Sequence, residues 1–266
     1  MVKQSSQPLV LARKRQPLEI TAAYQQAAKR LLLLDYDGTL VALALMPHKA
    51  KPSPRVLACL DLLSKDPKNT VVVISGRDRS TLENWLGHLP FGLVAEHGAF
   101  NKSETGWQSA FKNHGQWKEA IKPILNSAVS IISGSQVEEK ETAIVFHYRL
   151  SSDQKFAKTE AKLLAENLLP VIGSLSLEVR RDEREMVVEV KQAGIDKGQV
   201  VHEWLKRDRY DFILCAGDST SDEEMFKVLP PDAISIKVGP DSTDARYRIN
   251  DPSGFIECLA NLSKAG

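Results

Sequence analysis

The stretch RLLLLDYDGTLVAL, Arg30 to Leu43, sets two carboxylates, Asp35 and Asp37, at the end of an apolar run and directly before a glycine. Carboxylates at the end of a buried strand carry a desolvation cost unless something meets them. Three more short apolar runs end in polar residues: TVVVI in Ser75-Gly76-Arg77, FGLVA in Glu96-His97-Gly98, and DFILCA in Gly217-Asp218, with Asp222 and Glu223 close behind. Ligands of open parallel sheets bind at the carboxyl ends of the strands. If these four strands lie side by side, their acids converge, and converging carboxylates call for a hard divalent cation. An oxygen-only donor set without a nearby cysteine favours Mg²⁺ over zinc.

The remaining polar residues suit a phosphoryl group. Ser75 can donate a hydroxyl hydrogen bond, the backbone N–H groups of the turn at Gly76 can face anionic oxygens, and Lys197, before Gly198, offers a positive charge. An ionised aspartate can attack phosphorus and divide transfer into formation and hydrolysis of an aspartyl phosphate. A carboxyl two residues along fits a general acid to the leaving oxygen and then a base to the attacking water. Residues i and i+2 of a strand share a face, so Asp35 and Asp37 can address one phosphate while Tyr36 points the other way. Taken singly the signals are weak. Ser-Gly is a common turn, a lone Lys197 reads as a surface charge, and Asp222 with Glu223 suits any helix N-terminus. Their number and order carry the reading.

The elements that would position these residues are visible as patterns. ITAAYQQAAKR reads as a helix from Thr21, VLACLDLLSKD as a helix with Val56, Leu57, Leu60 and Leu63 on one face, and STLENWLGHL as a helix capped by Ser80 or Thr81. Alternating with the apolar runs, they give the grammar of a parallel α/β sheet. After Gly98 the grammar changes: ETAIVFHYRL alternates, FAKTEAKLLAENLLP is an amphipathic helix closed by Pro170, and SLEVRRDEREMVVEVK gives two strands around a charged turn. Near Ile195 the first grammar returns with GQVVHEWLKRD, DFILCAGD, DEEMFKVL and AISIKVG. The expected fold is therefore α/β: a doubly wound, mainly parallel core with an inserted α+β domain. The expected divisions are a linker or extension at 1–20, core at 21–105 and 193–266, and the insertion at 106–192.

Composition narrows the function classes. With 266 residues and 42% hydrophobic residues the chain can bury a sizeable core. Its formal charge of +1 gives no reason to expect a nucleic-acid or membrane partner. Three widely spaced cysteines, Cys59, Cys215 and Cys258, suggest neither a disulfide framework nor a zinc site and fit a reducing, cytoplasmic setting. No apolar run reaches membrane-span length, and no signal peptide is expected.

DYDGTL, SGR, DKG and GDSTSDEEMF, in that order, resemble the four motifs of the haloacid-dehalogenase phosphatase superfamily. AEHG, VEEKETAIVFHYR and VVEV followed by DKG are similar to segments of its trehalose-6-phosphate phosphatase family. The resemblance implies a Mg²⁺-dependent phosphatase acting on a small sugar phosphate, trehalose 6-phosphate, with a cap that closes over it. Asp35 would be nucleophile and metal ligand, and Asp37 acid/base with its backbone carbonyl on the metal. Ser75, Gly76 and Lys197 would hold the phosphate, while Asp218 and Asp222 would complete the metal site. In the cap, Glu138, Lys140, Arg149 and Glu189 would grip sugar hydroxyls, and Arg77 and His97 are further candidate substrate contacts. His147 reads as structural. Read without the resemblance, Glu138 and Lys140 form a cross-strand surface pair. The family commonly carries aspartate and threonine where this chain has Ser219 and Ser221, which removes a carboxylate beside the metal. The alternatives are another capped sugar-phosphate phosphatase, acting on sucrose phosphate or mannosylglycerate phosphate, or a non-catalytic regulatory domain. A trehalose-6-phosphate synthase domain in a longer chain is the partner that the resemblance allows.

Overall fold

A computed structural model describes residues 8–11, 18–103, 105–110, 115–173 and 175–265. In chain order the elements are β1 (Leu9–Val10), α1 (Leu18–Gln26), β2 (Arg30–Asp35), α2 (Pro54–Lys65), β3 (Asn69–Ile74), α3 (Arg79–Leu86) and β4 (Gly92–Ala95). Then come β5 (Phe100–Ser103), β6 (Gly106–Ser109), α4 (Lys118–Ile131), β7 (Gln136–Glu139), β8 (Ala143–His147) and α5 (Gln154–Ile172). They are followed by β9 (Leu177–Asp182), β10 (Val187–Gln192), α6 (Lys197–Arg207), β11 (Phe212–Gly217), α7 (Thr220–Lys227), β12 (Ile234–Val238), β13 (Tyr247–Ile249) and α8 (Pro252–Ala265).

The chain divides into two compact units, one formed by residues 1–108 with 196–266 and the other by residues 109–195. The first holds a nine-stranded sheet in the order β1-β13-β12-β11-β2-β3-β4-β5-β6. The pairings from β1 through to β4 are parallel, and β5 then joins β4 antiparallel. All six residues of β2 are buried, as a strand covered on both faces requires, and the leucine run supplies them. Leu31 and Leu33 pack with Val72, Ile74, Val94, Val200, Val201, Met225 and Phe226, which joins three strands to α6 and α7.

The parallel register puts the strand ends in line. Leu34 pairs with Ala216 and Asp35 with Ile74, so Asp35, Ser75 and Asp218 leave the sheet at one edge. The helices that follow begin with side-chain caps. Ser53, Asp78 and Asp196 accept from the N–H groups of Val56, Thr81 and Gln199, and Ser219 forms a capping box with Asp222.

The second unit is a four-stranded antiparallel sheet, β7-β8-β10-β9, with α4 and α5 against one face. Its core joins Ile121 and Leu125 of α4, Ala161, Leu164 and Leu168 of α5, and Ile144, Phe146, Val188 and Val190 of the sheet.

Several expectations are corrected. Within 1–20, read as linker, Leu9–Val10 pairs parallel with Tyr247–Arg248 and Leu11 is buried; two residues are too few to show a period. Residues 1–7 and 12–17 lie outside the described residues, and α1 begins at Leu18 rather than Thr21. Residues 106–108 belong to the first unit and 193–195 to the second, because β6 extends the large sheet while Ala193 N donates to Ser176 O. Pro170 lies inside α5, which runs on to Ile172; in the last turn its missing N–H forfeits a single helical bond. The cap of α3 is Asp78 rather than Ser80 or Thr81. Among the described residues no helix is long and apolar enough to cross a membrane.

The cap assignment is testable. Asp78→Ala should lower stability by about 1 kcal/mol in urea denaturation, with Ser80→Ala well below that. Equal losses from the two would return the cap to Ser80.

Candidate active site

Asp35 is the last residue of β2 and is buried. Lys197, the first residue of α6, reaches it: Nζ donates to Asp35 Oδ1 at 2.6 Å and to Asp222 Oδ1 at 2.7 Å. A lysine at a helix N-terminus opposes the helix dipole, so the carboxylates and not the helix account for its place. Asp222 is fully buried in the first turn of α7, and its Oδ2 accepts from the N–H groups of Asp218 (2.8 Å) and Ser219 (2.7 Å) and from Ser219 Oγ (2.9 Å). Ser219 Oγ also lies 2.8 Å from Ser221 Oγ.

Close packing at glycines makes this arrangement possible. A Cβ on Gly38, itself at φ +81°, would collide with the Asp218 carboxylate, and one on Gly217 would collide with Asp222. Only glycine leaves room there.

The buried charges shift one another. Burial, then the Asp222 charge, raise the Asp35 carboxyl to about 7, against the opposing pull of Lys197. Burial would lower the Lys197 ammonium, but the charges of Asp222 and Asp35 outweigh it and hold it above its ordinary range. Burial would raise Asp222, yet the Lys197 charge and hydrogen bonds from Lys197 and Ser219 bring it below the usual carboxylate range.

A divalent cation fits this donor set. Ligand atoms of Asp35, Asp218 and Asp222 lie within 4.8 Å of one another, and all three residues are buried. Asp35 Oδ2 is buried without a hydrogen-bond partner. The oxygens of Asp222 are already engaged, which makes it the group that holds Lys197 and the Asp218 turn.

Asp37 lies just beyond the strand and is paired with Arg77, whose Nε and Nη2 donate to its two oxygens at 2.7 and 2.6 Å. Arg77 also lies over the Trp85 ring at 4.7 Å. Expected as a substrate contact, Arg77 is placed here on the acid/base candidate; such a bidentate pair fixes the carboxylate's direction. Ser75 Oγ accepts from Arg77 N at 3.1 Å, so the turn closes on itself. His97 N donates to Ser75 O and Glu96 N to Arg77 O, each at 2.9 Å, with Glu96 and His97 at φ 46° and 58°. Two successive non-glycine residues in the left-handed region store strain, held here by those bonds. The His97 ring lies 2.6 Å from where a Gly76 Cβ would stand, so His97 backs the Ser75–Arg77 turn.

In the second unit, antiparallel partners share a face. Glu138 stands opposite Val145, Val145 opposite Glu189, and Glu189 opposite Arg180. This row occupies the sheet face away from the Ile144 and Phe146 core. His147 Nε2 lies 2.7 Å from Glu138 Oε2, and Lys140 Nζ 3.8 Å from Glu189 Oε1. Arg149 donates from Nη2 to Glu185 O at 2.8 Å, which ties it to the β9–β10 turn.

Sequence reasoning missed Arg180, in the same row, and Lys237 of β12. Lys237 is buried and donates to Glu223 Oε1 at 3.1 Å and to Ser219 O at 3.3 Å. A lysine inside the apolar strand ISIKV was the available signal, since a buried charge needs partners.

A profile of the family described as trehalose-phosphatase matches residues 33–253. The chain belongs to the trehalose-phosphatase family. It is 40% identical over 245 residues to a bifunctional trehalose-6-phosphate synthase/phosphatase of Thermoproteus tenax, covering 92% of this chain and 33% of that protein. Similarity to a trehalose-phosphatase of Schizosaccharomyces pombe is 34% over 266 residues, covering 93% and 32% respectively. The chain thus spans about a third of the length of these curated relatives. Among solved structures, the C-terminal domain of a Candida albicans trehalose-6-phosphate phosphatase superposes with a TM-score of 0.87 at 30% identity, covering 97% of this chain and 99% of that one. The C-terminal domain of a Candida albicans trehalose synthase regulatory protein shares the fold at 16% identity, with a TM-score of 0.74 and coverage of 97% and 100%. The haloacid-dehalogenase-like α/β core expected of the family is the fold found.

The raised Asp35 carboxyl sets a pH dependence for the metal-free family fold. Because its folded value, about 7, exceeds the model-compound value of 3.8, the stability linked to this proton falls as pH rises between them. A divalent cation at this donor set would need the ionised carboxylate, so any rise in Tm on adding Mg²⁺ should be small near about pH 5.5 and several degrees larger near about pH 8. An equal rise at both values would contradict the coupling.

Proposed function

We propose that this chain is a Mg²⁺-dependent phosphatase that hydrolyses trehalose 6-phosphate to trehalose and phosphate. The observation that carries the reading is Asp35: Lys197 fixes its Oδ1, and its Oδ2 is buried without a hydrogen-bond partner. Family membership supports the substrate class.

In this reading one Asp35 oxygen attacks phosphorus as the bond from phosphorus to the sugar oxygen breaks, and the Asp37 carboxyl gives the leaving oxygen its proton. In the second step Asp37 takes a proton from water, the water oxygen bonds to phosphorus, and phosphate leaves with Asp35 restored. The Arg77 pairing fixes the direction of the Asp37 carboxyl group. Ser75, the Gly76 backbone and Lys197 hold the transferred phosphoryl group. Asp35, Asp218 and the Asp37 carbonyl would hold Mg²⁺, whose charge supplies electrophilic help to phosphorus and offsets the clustered acids.

Glu138, Lys140, Arg149 and Glu189 are assigned to the sugar hydroxyls, supported for Glu138, Lys140 and Glu189 by their common sheet face. His97 is assigned a backing role. A synthase domain in a longer chain is the proposed partner, since the named relatives are about three times as long as the match. A reducing, cytoplasmic setting is supported by three buried cysteines without disulfides.

Phosphate release from trehalose 6-phosphate should require Mg²⁺. Asp35→Asn should lower kcat by roughly four orders of magnitude with Tm nearly unchanged. Substantial turnover by the folded variant would remove Asp35 from the nucleophile's role. If the wild-type chain releases phosphate from sucrose phosphate and not from trehalose 6-phosphate, the substrate assignment moves.

A further inference from the structure

Lys118 opens α4, outside every motif that the site uses, yet it is 4% exposed. A buried ammonium needs partners. Its Nζ donates to the main-chain carbonyl of Lys140 and lies 3.5 Å from Glu139 Oε1. Lys140 in turn closes the β7–β8 turn through its N–H to Ala143 O at 3.0 Å.

The two sides of β7 therefore have different tasks. Glu139 stands opposite Ile144, on the face that packs against the helices, where it also pairs with Lys122 at 2.9 Å. Glu138 is on the other face with Glu189, and the Lys140 ammonium lies 3.8 Å from the Glu189 carboxylate. The Lys118 ammonium lies on the helix side of β7, beside Glu139. It holds the one backbone carbonyl from which the Lys140 side chain departs.

We infer that Lys118 is a positioning residue for substrate selection: by fixing the Lys140 carbonyl from the helix side, it sets where the Lys140 ammonium meets the sugar. The inference rests on the reading of Glu138, Lys140 and Glu189 as the sugar-binding face. Loss of the bond frees the turn, so the cost falls on binding of the disaccharide and not on phosphoryl transfer.

The test compares Lys118→Met, Lys118→Arg, Lys122→Ala and Lys140→Ala in steady-state assays with trehalose 6-phosphate and with p-nitrophenyl phosphate, which carries no sugar. Lys118→Met should raise KM for trehalose 6-phosphate about tenfold with kcat within about twofold. Its KM for p-nitrophenyl phosphate should stay within the same twofold. Lys118→Arg, which keeps charge and donors, should recover most of the loss. Lys122→Ala removes a salt bridge to Glu139 but not the carbonyl bond, and should leave KM unchanged.

An unchanged trehalose 6-phosphate KM in folded Lys118→Met overturns the inference, as does an equal rise in Lys122→Ala, which would mark a general helix–strand staple. If Lys118→Met does not fold, Lys118→Gln replaces it: neutral and too short to reach the carbonyl, it must show the same rise. A wild-type KM there, or its failure to fold as well, overturns the positioning role in favour of a purely structural one. If Lys140→Ala leaves KM unchanged, the sugar-face reading itself falls. If Lys140→Ala raises KM and Lys118→Met does not, only the inference falls.

Discussion

The structure of the first unit turns on one buried ammonium shared by two carboxylates. Lys197 bridges Asp35 and Asp222 at hydrogen-bond distance with all three side chains at most 5% exposed. Removing the ammonium leaves two buried carboxylates uncompensated, at a cost of about 3–5 kcal/mol, whereas neutralising Asp35 still leaves Lys197 paired with Asp222. Sequence-distant segments must therefore arrive together: the end of β2, the start of α6 and the first turn of α7. The parallel sheet brings in two of them, since β2 and β11 end on one edge and α7 starts directly after β11; α6 follows the second unit in the chain. Two carboxylates and one ammonium still leave net negative charge, and Asp218 adds to it. A divalent cation at these carboxylates, or a proton on Asp35, would offset that excess.

From Lys197 the order spreads through Asp222. One of its oxygens holds the lysine, and the other holds the Asp218–Ser219 turn through two N–H groups and a hydroxyl. Ser219 acquires a physical sense here. A serine hydroxyl can donate to Asp222, whereas an ionised aspartate in its place cannot. Behind the turn, Lys237 bonds Ser219 O and Glu223, and Glu223 Oε2 accepts from Asp244 N at 2.9 Å. The acid facing the site is thus fixed by a chain of polar groups that runs from buried Asp222 and Lys237 out to the surface at Asp244.

Legibility from the sequence followed local signal strength. The leucine run before Asp35, the β-branched run before Ser75 and the apolar run before Gly217 each revealed a strand, because a strand buried on both faces must be continuously apolar. Their alternation with helices revealed the parallel core. The short strands β1 and β13, with two and three residues, carry too few positions for a period to show. The helices α4 and α8 were not anticipated. The cap of α3 was misplaced because Ser80 and Thr81 have the right chemistry, and only geometry shows that Asp78 accepts from Thr81 N. Within the site, residue types were legible and partners were not. Arg77 was read as a substrate contact since nothing local says that its guanidinium lies on Asp37, forty positions earlier.

The two units place charge under opposite rules. In the first, charges are buried at the edge of a parallel sheet, and strain at Glu96 and His97 with close packing at Gly38, Gly76 and Gly217 leaves little room for rearrangement. That rigidity suits chemistry common to many phosphate esters. In the second, Glu138, Glu189 and Arg180 form a row across an antiparallel sheet, each on its own strand, with His147 beside Glu138 and Lys140 of the β7–β8 turn beside Glu189. The fold shared at 16% identity with a protein described as a synthase regulatory protein shows how far sequence can drift while the architecture stays. Fold similarity alone therefore cannot assign a substrate. The buried trio fits phosphoryl chemistry, and under the proposed function the charged row of the second unit is where a sugar would be recognised.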